Sequence, residues 1–239
     1  GKRMKETTLE LVNNAKVFEK TRSGSPPEGF PHLPEIPGGR YTRPSFHELE
    51  RKALWPNSWV FAALESAVRN PGDYQTFDKL GVPIIIVRGQ DNEVRAFYNT
   101  CRHRGSRLTS EKTGCTKLLR CQYHSWSYDL TGNLVGVPDE RDFIGLDKST
   151  RGLLKLRCDT WNGLVFVTEN QNLPPVAESL GEMASDFSTI DIKQLRVVNH
   201  SRTRLKCNWK AAVDAFQEAY HVKTVHPQTV SQMLNVEST

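Results

Sequence analysis

The chain has 239 residues, a net charge of +5 and 25% charged residues. These proportions are typical of a globular protein with one or two domains, and they exclude a disordered or fibrous one. The longest apolar run, residues 82–87, contains a proline and is far shorter than the ~20 residues that cross a bilayer. Polar residues stand where a signal peptide has its apolar core. We therefore expect a cytoplasmic protein without membrane contact.

The first part of the chain predicts a small antiparallel β domain over residues 45–168. Residues 7–20 predict an amphipathic helix, and a connector rich in proline and glycine follows it. Ser45 and Glu48 form a capping-box pattern, which predicts that a helix begins at Ser45. Short β-rich segments follow, with a turn predicted at 89–92. The predicted strands are 59–63, 74–77, 82–87, 94–98, 127–129, 134–137, 153–158 and 164–167.

The last part of the chain predicts a second, α+β domain over residues 169–239. It contains a predicted helix at 176–187, a strand at 195–207 and a helix at 211–222. So few residues make a small independent core. We therefore expect the opening of a larger domain that is incomplete here, with residues 1–44 forming a separate helix and connector.

Two short motifs of cysteine and histidine predict a metal centre. Cys101-x-His103 is followed, after seventeen residues, by Cys121-x-x-His124. Three interpretations compete: a structural zinc site, a chance grouping, and a 2Fe–2S cluster with two thiolates on one iron and two imidazoles on the other. Each motif supplies a cysteine and then a histidine, whereas Cys2His2 zinc sites usually group the two cysteines together. The pattern therefore favours the cluster.

The residues around these motifs suggest how the centre is surrounded. Gly105 suits a tight loop, and Trp126 is expected to be an apolar lid that limits solvent access.

The positive charge of the rest of the chain is scattered, which argues against a nucleic-acid partner. Six basic residues near the motifs form either a solvated face or a docking surface for an acidic redox partner: Arg102, Arg104, Arg107, Lys112, Lys117 and Arg120. The odd total of five cysteines argues against a disulfide framework, and three are expected to be small buried hydrophobes: Cys115, Cys158 and Cys207.

A second candidate site lies near the end of the chain. Glu218 and His221 are three residues apart and therefore neighbours on one helix face. His226 lies five residues beyond His221, so the helix must end or bulge between them if both histidines bind one ion. Asp214, seven residues before His221, is expected on the same face, either as a hydrogen-bond acceptor for that histidine or as part of the solvated flank.

Both sites resemble those of the Rieske-type aromatic-ring-hydroxylating oxygenases, in their α (terminal oxygenase) subunits. The resemblance rests on Cys-Arg-His-Arg-Gly-Ser-Arg-Leu from residue 101, Cys-Gln-Tyr-His-Ser-Trp-Ser-Tyr-Asp from residue 121, and the Asn-Trp-Lys segment that begins at residue 208. It implies an antiparallel Rieske domain followed by the start of a helix-grip-like catalytic domain. The implied ligands of the 2Fe–2S cluster are Cys101, His103, Cys121 and His124.

The resemblance also implies a mononuclear non-haem Fe(II) bound by His221 and His226. The third ligand, a carboxylate, is expected beyond these 239 residues. Glu218 takes the place of an acidic residue, often Asp, that bridges the iron-binding His221 and His124 of a neighbouring subunit. Ala215 stands where many relatives have asparagine, which leaves the polar side of the pocket undefined.

The implied function is that of a terminal oxygenase component. Electrons from NAD(P)H pass through a separate reductase, with or without a ferredoxin, and the enzyme hydroxylates an organic substrate, by default aromatic, with O2. A ring of three α subunits is implied, with or without β subunits. The alternative within the family is monooxygenation, including oxidative N- or O-demethylation or quaternary-amine cleavage, which Glu218 favours. A Rieske electron carrier without oxygenase activity remains open, although such a carrier has no need of His221 and His226.

Overall fold

The computed structural model describes residues 34–78 and 81–229, with six isolated positions before residue 34. The chain divides into two compact units, which we call the sheet unit (Glu48–Ser201) and the helical unit (Gly1–His47 with Arg202–Thr239). The predicted domain limits at residues 44/45 and 168/169 stay a prediction. Within the described residues, no helix has both the length and the apolar character that a membrane span requires.

The sheet unit is built from antiparallel strands. In chain order these are β1 (Val60–Leu64), β2 (Asp73–Phe77), β3 (Ile84–Arg88), β4 (Val94–Tyr98), β5 (Thr113–Cys115), β6 (Leu119–Arg120), β7 (Ser127–Tyr128), β8 (Leu134–Gly136), β9 (Lys155–Trp161) and β10 (Leu164–Thr168). A seven-stranded sheet has the order β1-β10-β9-β4-β3-β2-β5, and a small sheet has the order β6-β7-β8. Neighbouring strands pair antiparallel throughout.

The helices among the described residues are short. The α-helices are α1 (Gly39–Thr42), α2 (Pro44–Leu49), α3 (Val176–Ser179), α4 (Glu182–Asp186), α5 (Trp209–Asp214) and α6 (Val222–Val225). A π-helical turn covers Glu50–Leu54. Single 3₁₀ turns cover Trp55–Asn57, Glu65–Val68, Glu140–Asp142, Lys148–Thr150, Phe187–Thr189 and Ile192–Gln194.

Strand β3 is buried on both faces and divides the core of the sheet unit into two clusters. Ile85 and Val87 pack in one cluster together with Cys101. Ile84 and Ile86 pack in the other cluster, on the opposite face. Successive side chains of a strand point to opposite faces, so an uninterrupted apolar run is what such a central strand requires. One face of the sheet therefore supports the first candidate metal site.

The predicted antiparallel β domain is confirmed, and each of its eight predicted strands overlaps an observed one. The turn at 89–92 is also confirmed, because the amide of Gly89 donates to the carbonyl of Glu93 at 2.8 Å. Strands β5 and β6 were not predicted. They have three and two residues, which is too short for an alternating pattern to be recognised.

The helix predicted at Ser45 is confirmed, but the capping box predicted to begin it is wrong. Helix α2 begins one residue earlier, at Pro44, where the fixed φ of proline suits the first helical position. Glu48 does not complete a capping box; it accepts hydrogen bonds from Arg51 at 2.7 Å and lies 3.2 Å from the ammonium of Lys52. The helix predicted over residues 7–20 lies outside the described residues, apart from three isolated helical positions.

Three predictions for the last part of the chain need correction. The helix predicted over 176–187 is divided into α3 and α4 at Gly181, whose φ is +55°. Residues 195–207 form no strand within the described part of the chain, because their alternation meets no neighbouring strand to pair with. The continuous helix predicted over 211–222 is also wrong, since α5 ends at Asp214 and α6 begins only at Val222.

Candidate metal centres

The first cysteine–histidine loop follows β4 and is closed by its own backbone. The amide of Cys101 donates to the carbonyl of Ser106 at 2.7 Å, and the amide of Gly105 donates to the carbonyl of Cys101 at 2.9 Å. Gly105 has a φ of +73°, a conformation that glycine adopts without steric cost. Fully buried Asn99 accepts the amide of Leu108 through its side-chain oxygen at 3.2 Å. The loop is therefore held at both ends.

The second loop joins β6 to β7 and closes in the same way. The amide of Cys121 donates to the carbonyl of Trp126 at 2.9 Å, and the amide of Ser125 donates back to the carbonyl of Cys121 at 2.9 Å. Ser125 has a φ of +58° and occupies the position that corresponds to the glycine of the first loop. Both loops thus turn sharply just after their histidine.

The four predicted donors come together as two like pairs. Cys101 and Cys121 are 4% and 2% exposed and lie in the same buried cluster. Burial raises the pKa of Cys101. The rings of His103 and His124 lie 4.8 Å apart between centroids. Sulfur is therefore paired with sulfur and nitrogen with nitrogen.

The two like pairs supply the donors that a two-iron cluster requires. Nδ1 of His103 is buried and has no hydrogen-bond partner. Burial also lowers the pKa of His103, which favours the neutral imidazole that binds metals. A Rieske cluster takes two thiolates on one iron and two imidazoles on the other, so these donors fit it.

Aromatic rings cover the imidazole pair. Trp126, only 3% exposed, stacks on the ring of His103 with 4.8 Å between centroids and 10° between planes. The ring of Phe143 meets the same imidazole edge-on at 5.9 Å, and that of Tyr123 lies 3.9 Å from His124. The predicted position of Trp126 as an apolar cover is confirmed, while Phe143 was not predicted.

Tyr128 occupies the sulfur side of the site and was also not identified from the sequence. Its hydroxyl oxygen accepts the amide of Arg102 at 3.0 Å and lies 3.3 Å from Sγ of Cys101. Because the oxygen accepts the amide proton, its own hydrogen can point to the sulfur. Burial raises the pKa of Tyr128, so the hydroxyl stays protonated. The only sequence signal is its place two residues after Trp126 on a short strand.

In the helical unit, the two predicted iron histidines lie at the two ends of α6. His221 directly precedes the helix, and His226 directly follows it with φ −123° and ψ 43°. Their rings are 5.5 Å apart between centroids. The predicted requirement that the helix end between them is confirmed, because α6 ends at Val225. Both imidazoles can therefore face one ion.

Glu218 contacts His221 twice. One carboxylate oxygen accepts the amide of His221 at 3.1 Å, and the other contacts Nδ1 of its ring. This hydrogen bond lowers the pKa of Glu218. The predicted neighbours do meet, although in a turn rather than on a helix face. With Nδ1 engaged by the carboxylate, Nε2 of His221 is the nitrogen left for a metal.

Asp214 is not on the face of a helix that carries His221. It is the last residue of α5, and its Oδ2 accepts the hydroxyl of Tyr41 at 2.8 Å. That contact joins two segments of the helical unit that are 173 residues apart in the chain. The prediction that Asp214 and His221 share one helix face is therefore wrong. The Asp214 carboxylate does accept a hydrogen bond, but from Tyr41 and not from His221.

The remaining cysteines and the basic residues differ in exposure. Cys158 is half-buried, and burial raises its pKa to about 12. The prediction that all three remaining cysteines are buried is wrong for Cys115 and Cys207, which are exposed, because one lies on a short edge strand and the other in a bend before α5. Among the six basic residues, Arg107 pairs with Asp78 at 3.0 Å. Four more are exposed: Arg104, Lys112, Lys117 and Arg120.

Two protein-family models match the chain. The Rieske [2Fe-2S] domain matches residues 58–155, and the catalytic domain of ring hydroxylating alpha subunits matches residues 192–237. The first match contains both cysteine–histidine loops, and the second contains both histidines of the second site.

Similar proteins include both monooxygenases and dioxygenases. The carnitine monooxygenase oxygenase subunit of Acinetobacter pittii is 32% identical over 207 residues, which cover 84% of this chain and 56% of that protein. The chlorobenzene dioxygenase subunit alpha of Cupriavidus sp. is 34% identical over 190 residues, 77% of this chain and 42% of that protein. The chain thus spans about half the length of the curated relatives it matches.

The similar solved structures also include a monooxygenase and a dioxygenase. The quaternary ammonium Rieske monooxygenase CntA in complex with L-carnitine superposes with a TM-score of 0.77 and 32% identity, covering 80% of this chain and 55% of that one. Naphthalene 1,2-dioxygenase from Rhodococcus sp. superposes with a TM-score of 0.75 and 31% identity, covering 83% of this chain and 47% of that one.

Proposed function

Because the chain belongs to the Rieske-type ring-hydroxylating oxygenase α subunits, we propose that it acts as the terminal component of a multicomponent oxygenase. The observation that carries this proposal is the presence of two separate donor sets, one in each unit. An electron carrier needs only the first set. When bound, the 2Fe–2S cluster supplies single electrons and the mononuclear Fe(II) supplies O2 activation for oxidation of an organic substrate.

In this proposal the sheet unit holds and shields the cluster. Cys101 and Cys121 bind one iron, while His103 and His124 bind the other. The nearly parallel ring of Trp126 fixes the orientation of an imidazole ligand and excludes water from it. Solvent exclusion and hydrogen bonds to sulfur are the means by which a protein adjusts the potential of an iron–sulfur cluster.

The helical unit provides two of the ligands for the mononuclear iron. His221 and His226 bind through ring nitrogens from the two ends of α6, and Glu218 holds the ring of His221 through Nδ1. A carboxylate outside this chain completes the ligand set. Glu218 also connects His221 to His124 of a neighbouring subunit in a ring of three α subunits, with or without β subunits.

The partners in this proposal are a reductase that uses NAD(P)H and, in some arrangements, a ferredoxin. The exposed basic residues near the first loop provide a surface for an acidic redox partner, since opposite charges accelerate encounter. A cytoplasmic location is part of the same proposal, and the odd total of five cysteines, which argues against a disulfide framework, favours it.

Aromatic ring dihydroxylation is the main candidate reaction. Monooxygenation, including oxidative demethylation and quaternary-amine cleavage, is the second candidate. Glu218 favours the second, because the family resemblance places a glutamate at this position in a subset of members that includes quaternary-amine monooxygenases. Sequence identity does not separate the two candidates, because it is 32% to the carnitine monooxygenase subunit and 34% to the chlorobenzene dioxygenase subunit.

The experiment that tests the proposal combines metal analysis with spectroscopy on the anaerobically purified full-length protein. We expect iron and sulfide in the ratio of one Rieske cluster plus one mononuclear iron, and a Rieske-type electron paramagnetic resonance signal after reduction by dithionite. His221→Ala should remove the mononuclear iron alone, and exposed His200 provides the matched control His200→Ala. A silent spectrum with stoichiometric zinc would contradict the proposal.

Product analysis with ¹⁸O₂ separates the two candidate reactions. Two labelled oxygen atoms in one product indicate a dioxygenase. One labelled atom, or release of an aldehyde from an N- or O-methyl group, indicates a monooxygenase. The test requires the reconstituted system with its reductase.

A further inference from the structure

A short N-terminal segment (residues 39–46) holds both ends of helix α5 in the helical unit. At the start of the helix, Nδ2 of Asn208 donates to the carbonyl of Tyr41 at 3.1 Å, while Oδ1 of Asn208 accepts the amide of Lys210 at 3.0 Å. At the end of the helix, the hydroxyl of Tyr41 donates to Oδ2 of Asp214 at 2.8 Å. A single tyrosine therefore spans the length of α5.

Lys210 adds a second connection between the same two segments. Its ammonium lies over three aromatic rings, 5.6 Å from the centroid of Tyr41, 5.1 Å from that of Phe46 and 5.3 Å from that of Trp209. Two of these rings belong to the N-terminal segment and one to α5 itself. A cation within about 6 Å of a ring face is attracted by the ring quadrupole, so one charge draws the two segments together.

We propose that Tyr41 and Lys210 are positioning residues for the mononuclear iron: by fastening α5 to residues 39–46, they fix the start of the turn that carries Glu218 and His221. This inference rests on the proposed function, because it concerns the iron that the function requires. It also gives a role to the Asn-Trp-Lys sequence at residues 208–210, whose residues bind no metal in the proposal.

The need for such a fastening follows from the length of α5. The helix has six residues, and isolated helices of this length are unstable in water. It ends at Asp214, and the chain then passes through irregular turns before the first iron histidine. A displacement of α5 would therefore be transmitted to Glu218 and His221. Residues that hydrogen-bond to metal ligands commonly contribute 10–100-fold to metal affinity, so an effect that reaches Glu218 and His221 through α5 is expected at the lower end of that range.

The test uses the full-length holoenzyme and four variants. Tyr41→Phe removes only the hydroxyl that binds Asp214, and Lys210→Met removes the charge while keeping a long side chain. Lys210→Arg keeps the charge and should retain wild-type behaviour. Lys206→Met is the matched control, because Lys206 is exposed and lies before α5.

The readouts are the affinity for mononuclear Fe(II) and the electron paramagnetic resonance spectrum of its nitric oxide adduct, with the Rieske signal as internal reference. We expect Tyr41→Phe and Lys210→Met to weaken Fe(II) binding about tenfold and to change the adduct spectrum, with the Rieske signal unchanged. Fe(II) affinity and adduct spectra identical to wild type in both variants would overturn the inference, as would equal losses in Lys206→Met.

Failure of the proposed function gives a different result, since the wild-type protein itself would then bind no mononuclear iron. In that case amide hydrogen exchange over residues 209–226 still tests the fastening. Faster exchange in Tyr41→Phe and Lys210→Met, but not in Lys210→Arg, supports it. Exchange equal to wild type in every variant overturns it.

Discussion

The hydroxyl of Tyr128 is predicted to raise the reduction potential of the proposed Rieske cluster. It lies 3.3 Å from Sγ of Cys101, and its own oxygen is fixed by the amide of Arg102 at 3.0 Å. A hydrogen bond to sulfur stabilises the reduced form, which carries one more negative charge, more than the oxidised form. Tyr128→Phe keeps the ring and removes the hydrogen bond, so the potential should fall.

The size of the effect can be estimated from this one contact. Hydrogen bonds to charged groups contribute about 1.5–3 kcal/mol. The added electron is shared among irons and sulfides, so we assign about 0.5–1.5 kcal/mol of that difference to the reduced state. At ~59 mV for each tenfold change in the equilibrium constant of a one-electron couple, this corresponds to a potential lower by about 20–65 mV.

The assay is a redox titration of the purified variant, followed by electron paramagnetic resonance. The matched control is Tyr123→Phe, which removes a hydroxyl from a residue that is 62% exposed and whose ring lies 3.9 Å from that of His124. Its potential should equal that of wild type. Because Tyr128→Phe also leaves the part-buried amide of Arg102 without the tyrosine hydroxyl, iron and sulfide content must be shown to match wild type. An unchanged potential in an intact Tyr128→Phe cluster would refute the reasoning.

Three further predictions concern stability and reactivity. Gly132→Ala should lower the free energy of unfolding by about 2–5 kcal/mol, since its φ of +94° disfavours a side chain and the new Cβ would lie 2.4 Å from buried Phe97. The control Gly145→Ala, at φ +76° with open space around it, should lower it by only about 1–2 kcal/mol. Equal losses of unfolding free energy in the two variants, measured by chemical denaturation, would contradict this. Ser125→Gly should stabilise the protein by about 0.5–1 kcal/mol by relieving a φ of +58°, and a lower denaturation midpoint would disprove it. Burial raises the pKa of Cys158 to about 12, so its thiolate fraction increases with pH and is about 10⁻⁴ at pH 8. Iodoacetamide should therefore label Cys158 at least ~100-fold more slowly than exposed Cys207. Mass spectrometry of the labelled native protein measures both rates, and equal rates would refute this prediction.

The proposed metal ligands can be predicted from sequence because each pair is local in the chain. Here a cysteine and a histidine two or three residues apart share one loop, and the two histidines five residues apart flank one short helix. Long-range partners leave no such signal. The contact of Tyr128 with Cys101 spans 27 residues, and that of Tyr41 with Asp214 spans 173.

Secondary structure is predicted well where it is buried and poorly where side chains compete with the backbone. The strands around β3 are confirmed because burial on one or both faces produces their apolar patterns. The helix predicted over 211–222 is wrong because periodicity does not register local hydrogen bonds. Glu218 accepts the amide of His221, and a side chain that binds a nearby amide in this way offers the backbone an alternative to the helix.

The matching closure of the two loops explains how motifs with different spacing present matching donors. His103 is two residues after its cysteine and His124 is three residues after its own, yet in both loops the amide of the fourth residue after the cysteine returns to the cysteine carbonyl. The residues at that fourth position, Gly105 and Ser125, both have positive φ. The backbone therefore sets the turn, and the histidine occupies either of the two positions before it. This is why the thiols pair with each other and the imidazoles pair with each other, an arrangement that the spacing in the sequence does not by itself require.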